Sequence, residues 1–181
     1  MLKINIEIND EMIKEASKNE AKVSIGHLGT HIDLKGKQFK DCSVKGIVFK
    51  CEDNIEIKDI DLSLIKENYF VIFNTNHINK YLYGSKEYYQ DYSILDKDLI
   101  EELIKRNVSF IGIDGPGIRK GKEHPLMDAY LASKNIFVIE NLCNLDKLEA
   151  KTIYDIDLIS TNKIDDGMPL DILIKNYNET T

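Results

Sequence analysis

Tyr69-Phe-Val-Ile-Phe73 runs straight into Asn74-Thr-Asn-His77, and the same pattern recurs twice further on. Val108-Ser-Phe-Ile-Gly-Ile113 runs into Asp114-Gly-Pro-Gly117, and Ile136-Phe-Val-Ile139 runs into Glu140-Asn-Leu142. A strand with one wet face alternates apolar and polar residues. A short continuous apolar run that stops at polar residues fits a strand buried on both faces. Between the first two runs lies the clearest helix, Leu95 to Arg106, capped by Asp96, with Leu99, Ile100, Leu103 and Ile104 at helical spacing. Leu126 to Ser133 is a second helix candidate, placed just before the third run. Strands alternating with helices point to the α/β class and to a single domain over residues 1–181.

Outward from this centre the pattern changes. Leu2, Ile4, Ile6 and Ile8 alternate with polar residues, as in a half-buried strand, and Asp10 can cap a helix through Lys18. Val23 to Ile32 is apolar but interrupted by Gly26 and Gly29. Ser43–Phe49 and Asn54–Ile57 are β-like, and Asp61–Asn68 suggests a helix capped by Asp61 or Ser63. Residues 78–95 form a polar stretch with Tyr81, Tyr83, Tyr88, Tyr89 and Tyr92, expected to be a loop that packs a lid or a dimer interface. Ile153–Ile159 and Leu170–Ile174 are late strands around the turn Asp165-Asp-Gly-Met-Pro169.

Composition bounds the function. Of 181 residues, 43% are hydrophobic and 30% charged, which excludes a disordered chain. Twenty-four basic against 31 acidic side chains give a net charge of −7, and no basic face for nucleic acid is evident. Cys42, Cys51 and Cys143 are odd in number and have no CxxC spacing, so a disulfide framework is not expected and a reducing, cytoplasmic compartment is. No leader and no apolar stretch of membrane-spanning length stands out, so no membrane partner is expected. Neither a GxGxxG or P-loop motif nor a GxSxG elbow occurs.

Thr75, His77, Asp114 and Glu140 stand at strand ends, where ligands of α/β sheets collect. His27-Leu-Gly-Thr-His-Ile-Asp33 is more specific. On a regular strand His27, His31 and Asp33 share one face, and Gly29 between the histidines leaves room there for an ion. Imidazole and carboxylate donors suit zinc, manganese or iron. Cys143 is read as an inert buried thiol.

The segment resembles the first part of the HxGTHxDxPxH signature of the cyclase family of metal-dependent hydrolases, which includes bacterial kynurenine formamidase (arylformamidase). His27, Gly29, Thr30, His31 and Asp33 match. Phe110-Ile-Gly-Ile-Asp114-Gly-Pro is similar to the family's strand ending in Gly-Ile-Asp. Ile139-Glu-Asn-Leu142 with Asn144-Leu145 is similar to its Glu-Asn-Leu segment, and Asp166-Gly-Met-Pro169 to its C-terminal Asp-Gly-x-Pro. The resemblance implies a central mixed β-sheet with flanking helices, a swivelling β/β/α-like fold. It also implies a divalent metal, zinc or manganese, on His27, His31, Asp33 and Glu140. The family's further histidine ligand, twelve positions before that glutamate, falls on Asp128, with His124 four residues earlier as the other candidate. The signature's terminal Pro and His fall on Lys35 and Lys37, so Lys37 inherits the acid/base or oxyanion role.

The activity so implied is hydrolysis of an amide, a formamide of the N-formylkynurenine type or a lactone by metal-activated water, as in tryptophan catabolism, with a small-molecule substrate and a homodimer as the assembly. Two other readings stay open: a relative that binds a metal or small ligand without turnover, and a structural subunit.

Overall fold

Strand pairing, more than helix packing, organises this chain. The computed structural model describes residues 1–10, 12, 14, 27–161 and 167–177. Its strands are β1 (Leu2–Lys3), β2 (His31–Asp33), β3 (Cys42–Lys50), β4 (Phe70–Asn74), β5 (Phe110–Ile113), β6 (Phe137–Glu140), β7 (Ile153–Ser160) and β8 (Gly167–Ile174). β3, β4, β5 and β6 run parallel in that spatial order, with Phe70 opposite both Gly46 and Phe110. β7 adds antiparallel to β3, and β2 adds antiparallel to β6. β8 then pairs with both β2 and β7 and closes the sheet on itself. The closed ring reads β8-β2-β6-β5-β4-β3-β7, with β1 appended to the outer half of β8. The mixed sheet expected from the sequence is therefore a barrel of seven strands among the described residues.

Closure explains the continuous apolar runs. Phe70, Ile72, Phe110 and Ile139 point into the barrel, where they meet Ile156, Leu158, Leu170 and Ile172 of β7 and β8. Val71, Phe73, Ile111, Ile113 and Val138 point outward under the helices. Both faces of β4, β5 and β6 are thus dry. Among the described residues no helix covers β7, and it alternates, burying Tyr154, Ile156 and Leu158 and leaving Ile153 and Ile159 exposed. Gly112 keeps the interior open: a Cβ there would lie 2.6 Å from the Phe70 ring and 2.7 Å from Leu142.

After β4, the described residues form four α-helices: α1 (His77–Lys80), α2 (Lys86–Gln90), α3 (Lys97–Lys105) and α4 (Glu123–Ser133). α3 is the helix expected from its spacing. Asp96 caps it by accepting the Leu99 amide at 2.6 Å, and Leu99, Ile100 and Leu103 are buried. The tyrosine-rich stretch is not one long loop, because it contains α1 and α2. Asp61–Asn68 is not a helix either. It forms a single 3-10 turn, Leu62–Leu64, capped by Asp61 rather than Ser63. Of the expected strand at 54–57, only an isolated bridge from Ile55 to Leu95 remains. The expected helix from Asp10 to Lys18 and the turn at Asp165–Asp166 lie largely outside the described residues.

Candidate metal centre

The candidate site forms where the parallel block meets its antiparallel neighbour. β2 and β6 pair so that His31 stands opposite Glu140, the last residue of β6. Asp33, two residues along β2, shares the face of His31. His27 does not extend that strand. It precedes a turn in which Gly29 takes φ +62°, and it reaches the cluster from there. α4 begins three residues earlier than its apolar spacing suggested, so His124 and Asp128 fall one turn apart on one helix face.

These side chains converge. His31 Nε2 lies 3.5 Å from Glu140 Oε2, and His27 Nε2 lies 3.0 Å from Asp33 Oδ1. His124 Nε2 is 2.9 Å from Glu140 Oε1 and 3.1 Å from Asp128 Oδ2. Two sets of donor atoms result, His27–His31–Asp33 and Asp33–His124–Asp128–Glu140. Within each set all atoms lie within 4.8 Å of one another, and Asp33 belongs to both. The sequence left Asp128 and His124 as alternatives, and the fold brings both to the cluster.

The donor atoms suit a cation. His31 Nδ1 is 3.1 Å from the Gly29 carbonyl, which can only accept, so Nδ1 carries the proton and Nε2 presents a lone pair. His31 Nε2, both Asp128 oxygens and Glu140 Oε1 are buried with no hydrogen-bond partner; the nearby His124 ring is close without being aligned. Buried polar atoms of both kinds left unsatisfied around one point are costly unless an ion receives them. Nitrogen and carboxylate oxygen donors fit a divalent metal of the zinc or manganese type.

Burial and mutual charge shape the titration. Burial pushes His31 down to about 4, so its imidazole is neutral at physiological pH, as a ligand must be. Burial alone would raise Asp33, but the His27 hydrogen bond and the charges of His31, Lys35 and His27 together outweigh it and hold the carboxyl down at about 2. The same bond raises His27. Burial raises both Asp128 and Glu140. His124 is pushed up to about 10, because these two carboxylates overcome its own desolvation.

Other expected residues fall elsewhere. Lys37 is exposed on the turn after β2, its amide donating to the Leu34 carbonyl. The lysine beside the cluster is Lys35, whose Nζ is 3.4 Å from Asp33 Oδ1 and whose side chain is 19% exposed. The signature passed over it, because its proline falls on Lys35 and its histidine on Lys37; a backbone turn at φ +48° brings Lys35 to the cluster. Thr75, His77 and Asp114 form a structural knot: Asp114 accepts from the Thr75 amide and hydroxyl and from the His77 amide. Burial raises the Cys143 thiol to about 11, which keeps it protonated. Gly29 does not make room for the ion as its spacing suggested, since a Cβ there would meet the Ile6 carbonyl at 2.7 Å. Gly117 has that role. At φ +144°, its Cβ would lie 2.6 Å from His124 Cε1 and 3.1 Å from Glu140 Oε1.

Neither a protein-family model nor a curated protein sequence matches this chain. Solved structures do match in shape. A predicted metal-dependent hydrolase from Bacillus stearothermophilus superposes with a TM-score of 0.71 at 20% identity, covering 96% of each chain. A potential metal-dependent hydrolase with cyclase activity gives 0.65 at 23% identity, over 82% of this chain and 76% of the other. Isatin hydrolase A from Labrenzia aggregata gives 0.64 at 20% identity, over 82% and 73%. The fold is the one these hydrolases share. At such identities the likeness speaks for the barrel and its helices. Among the described residues no helix is long and apolar enough to cross a membrane.

Proposed function

We propose that this protein is a metal-dependent hydrolase that opens an amide bond of a small molecule, in the manner of an arylformamidase or of the isatin hydrolases it resembles in fold, with a lactone as the related alternative substrate. One observation supports this above the others: among the described residues, His31, Asp128 and Glu140 carry buried polar atoms with no hydrogen-bond partner, the two carboxylates facing only the His124 ring. A divalent zinc or manganese ion held there supplies Lewis-acid activation of water and of a carbonyl.

The chain's own residues do the rest. His27, His31, Asp33, Asp128 and Glu140 would hold the ion or ions, with His124 beside Asp128 and Glu140 as a further candidate donor. The Gly29 carbonyl fixes the His31 tautomer. Lys35 takes the role that the signature's spacing gave to Lys37: a cation poised to hold a carbonyl oxygen as it gains negative charge. The assembly that goes with this reading is a two-fold homodimer, with exposed Leu82 and Tyr89 as apolar surface for it to cover.

The test is a metal-stripped protein reconstituted with Zn²⁺ or Mn²⁺ and assayed on aryl formamides, isatin and aryl lactones. Turnover that needs metal and disappears in His31→Ala is the expected result. Metal bound in stoichiometric amount with no turnover on any substrate would instead favour the non-catalytic relative. Lys35→Met should lower turnover by about 100-fold, the cost of one oxyanion donor. If Lys37→Met has that effect instead, the role returns to Lys37.

A further inference from the structure

The tyrosine-rich segment touches the metal cluster through a closed hydrogen-bond circuit rather than as a lid. Gly29 sits between the two histidines of the ligand turn. Its amide donates to the Tyr83 hydroxyl at 2.7 Å. Its carbonyl accepts from His31 Nδ1 at 3.1 Å and from Asn141 Nδ2 at 2.9 Å. Asn141 follows Glu140, and its Oδ1 accepts from the Tyr88 hydroxyl at 2.7 Å. The Tyr83 and Tyr88 rings meet edge to face at 5.2 Å, which closes the loop.

Every link is buried or partly buried, and Tyr88 is wholly so. Asn141, the covalent neighbour of Glu140, and Gly29, two residues from both His27 and His31, are therefore held by one pair of tyrosines. Gly29 orients His31, and Asn141 fixes the end of β6 that carries Glu140. Asn141 takes φ +59°, a conformation asparagine tolerates, and the Thr30 hydroxyl donates to its carbonyl at 2.5 Å.

We propose that Tyr83 and Tyr88 are positioning residues of the metal centre, which set the geometry of the His31 and Glu140 donors through Gly29 and Asn141. Hydrogen bonds to the groups behind metal ligands tune affinity by orienting the ligand before the ion arrives. The inference rests on the metal reading above, but its failure is separable from the failure of that reading.

The probe is Co²⁺, whose visible absorption reports ligand geometry, with affinity measured by competition against a chromogenic chelator. Tyr83→Phe keeps the ring contact with Tyr88 and removes only the oxygen that receives the Gly29 amide. It should weaken Co²⁺ binding by about 10-fold and shift the visible bands. Tyr88→Phe, which cuts the circuit at Asn141, should act in the same direction. Tyr81→Phe, on the same segment but outside the circuit, should leave affinity and spectrum at the parent's values. Parent-like affinity and bands in both circuit variants would overturn the proposal while leaving the metal site standing. Loss of affinity that only tracks a fall in the melting midpoint of the metal-stripped variants, with unshifted bands, would also overturn it. A parent that binds no Co²⁺ would overturn the metal reading and this inference together.

Discussion

His31 shows how much one side chain can be made to do by its surroundings. One ring nitrogen is tied to the Gly29 carbonyl and the other is bare, and burial lowers its pKa to about 4. The sign of the resulting pH dependence follows. In the unfolded chain an imidazole takes up its proton near pH 6.5, whereas in the fold His31 resists until about pH 4. Its contribution is present above pH 6.5 and is lost as the pH falls toward 4, by about 3 kcal/mol at most. Burial depresses His77 as well, so it acts in the same direction. Asp128 and Glu140, raised by burial, act in the opposite direction, so the measurement is a comparison: between pH 6.5 and 4 the melting midpoint of metal-stripped protein should fall further in the parent than in His31→Gln. A drop of unchanged size in His31→Gln would assign it elsewhere. Gly117 offers a second test at this scale. Gly117→Ala puts a methyl group against His124 and Glu140 in a backbone conformation that alanine avoids. Metal affinity should fall by an order of magnitude or more, roughly as for other changes behind a ligand. Near-parent circular dichroism would show that the loss is local.

At the scale of elements, α3 was legible because its signals agree. Asp96 receives the Leu99 amide at 2.6 Å, and it also receives the Ile57 amide at 3.2 Å, which ties the preceding turn to the helix. Asp96→Ala should cost about 1–2 kcal/mol in denaturant melts, a full cap's worth, while Asp98→Ala in the first turn should cost a few tenths of that range at most. β4, β5 and β6 were equally legible, because only a strand dry on both faces tolerates runs such as Phe70–Phe73. The failures have physical causes. Asp61–Asn68 carries cap chemistry that serves a single 3-10 turn just as well as a helix. α4 has so weak an apolar stripe that its start was read at Leu126. His124 was thus seen as outside the helix, although Pro125 is at home in a first turn. The ligand motif could be read from residue types alone. Its geometry could not, because His27 reaches the cluster through a turn at Gly29 and not along a regular strand, and the signature's spacing pointed to Lys37 where the turn at Lys35 brings Lys35 in.

For the whole molecule, the position of the donors matters more than their number. They come from β2, the segment just before it, β6 and α4, and β2 is a three-residue strand that joins β6 to β8 and so completes the ring. An ion shared by these elements fastens the barrel at its shortest strand, so metal binding should stabilise the entire fold and not just the site. The three carboxylates, Asp33, Asp128 and Glu140, also repel one another when no cation is held, and binding should release protons as the buried acids ionise. At a free metal concentration 100-fold above the dissociation constant, the gain is about 2.7 kcal/mol. For a chain of this length that corresponds to a rise of roughly 5–10 °C in the melting midpoint. Scans of the parent in EDTA, Zn²⁺, Mn²⁺ and Mg²⁺ should show that rise with Zn²⁺ or Mn²⁺. Asp128→Ala should reduce it, and calorimetry in buffers of different ionisation enthalpy should reveal the proton release. Equal midpoints in all four conditions would mean that no functional metal is held. The cluster would then be a set of buried charges that balance one another, with His124 and Lys35 as cations beside its carboxylates among the described residues.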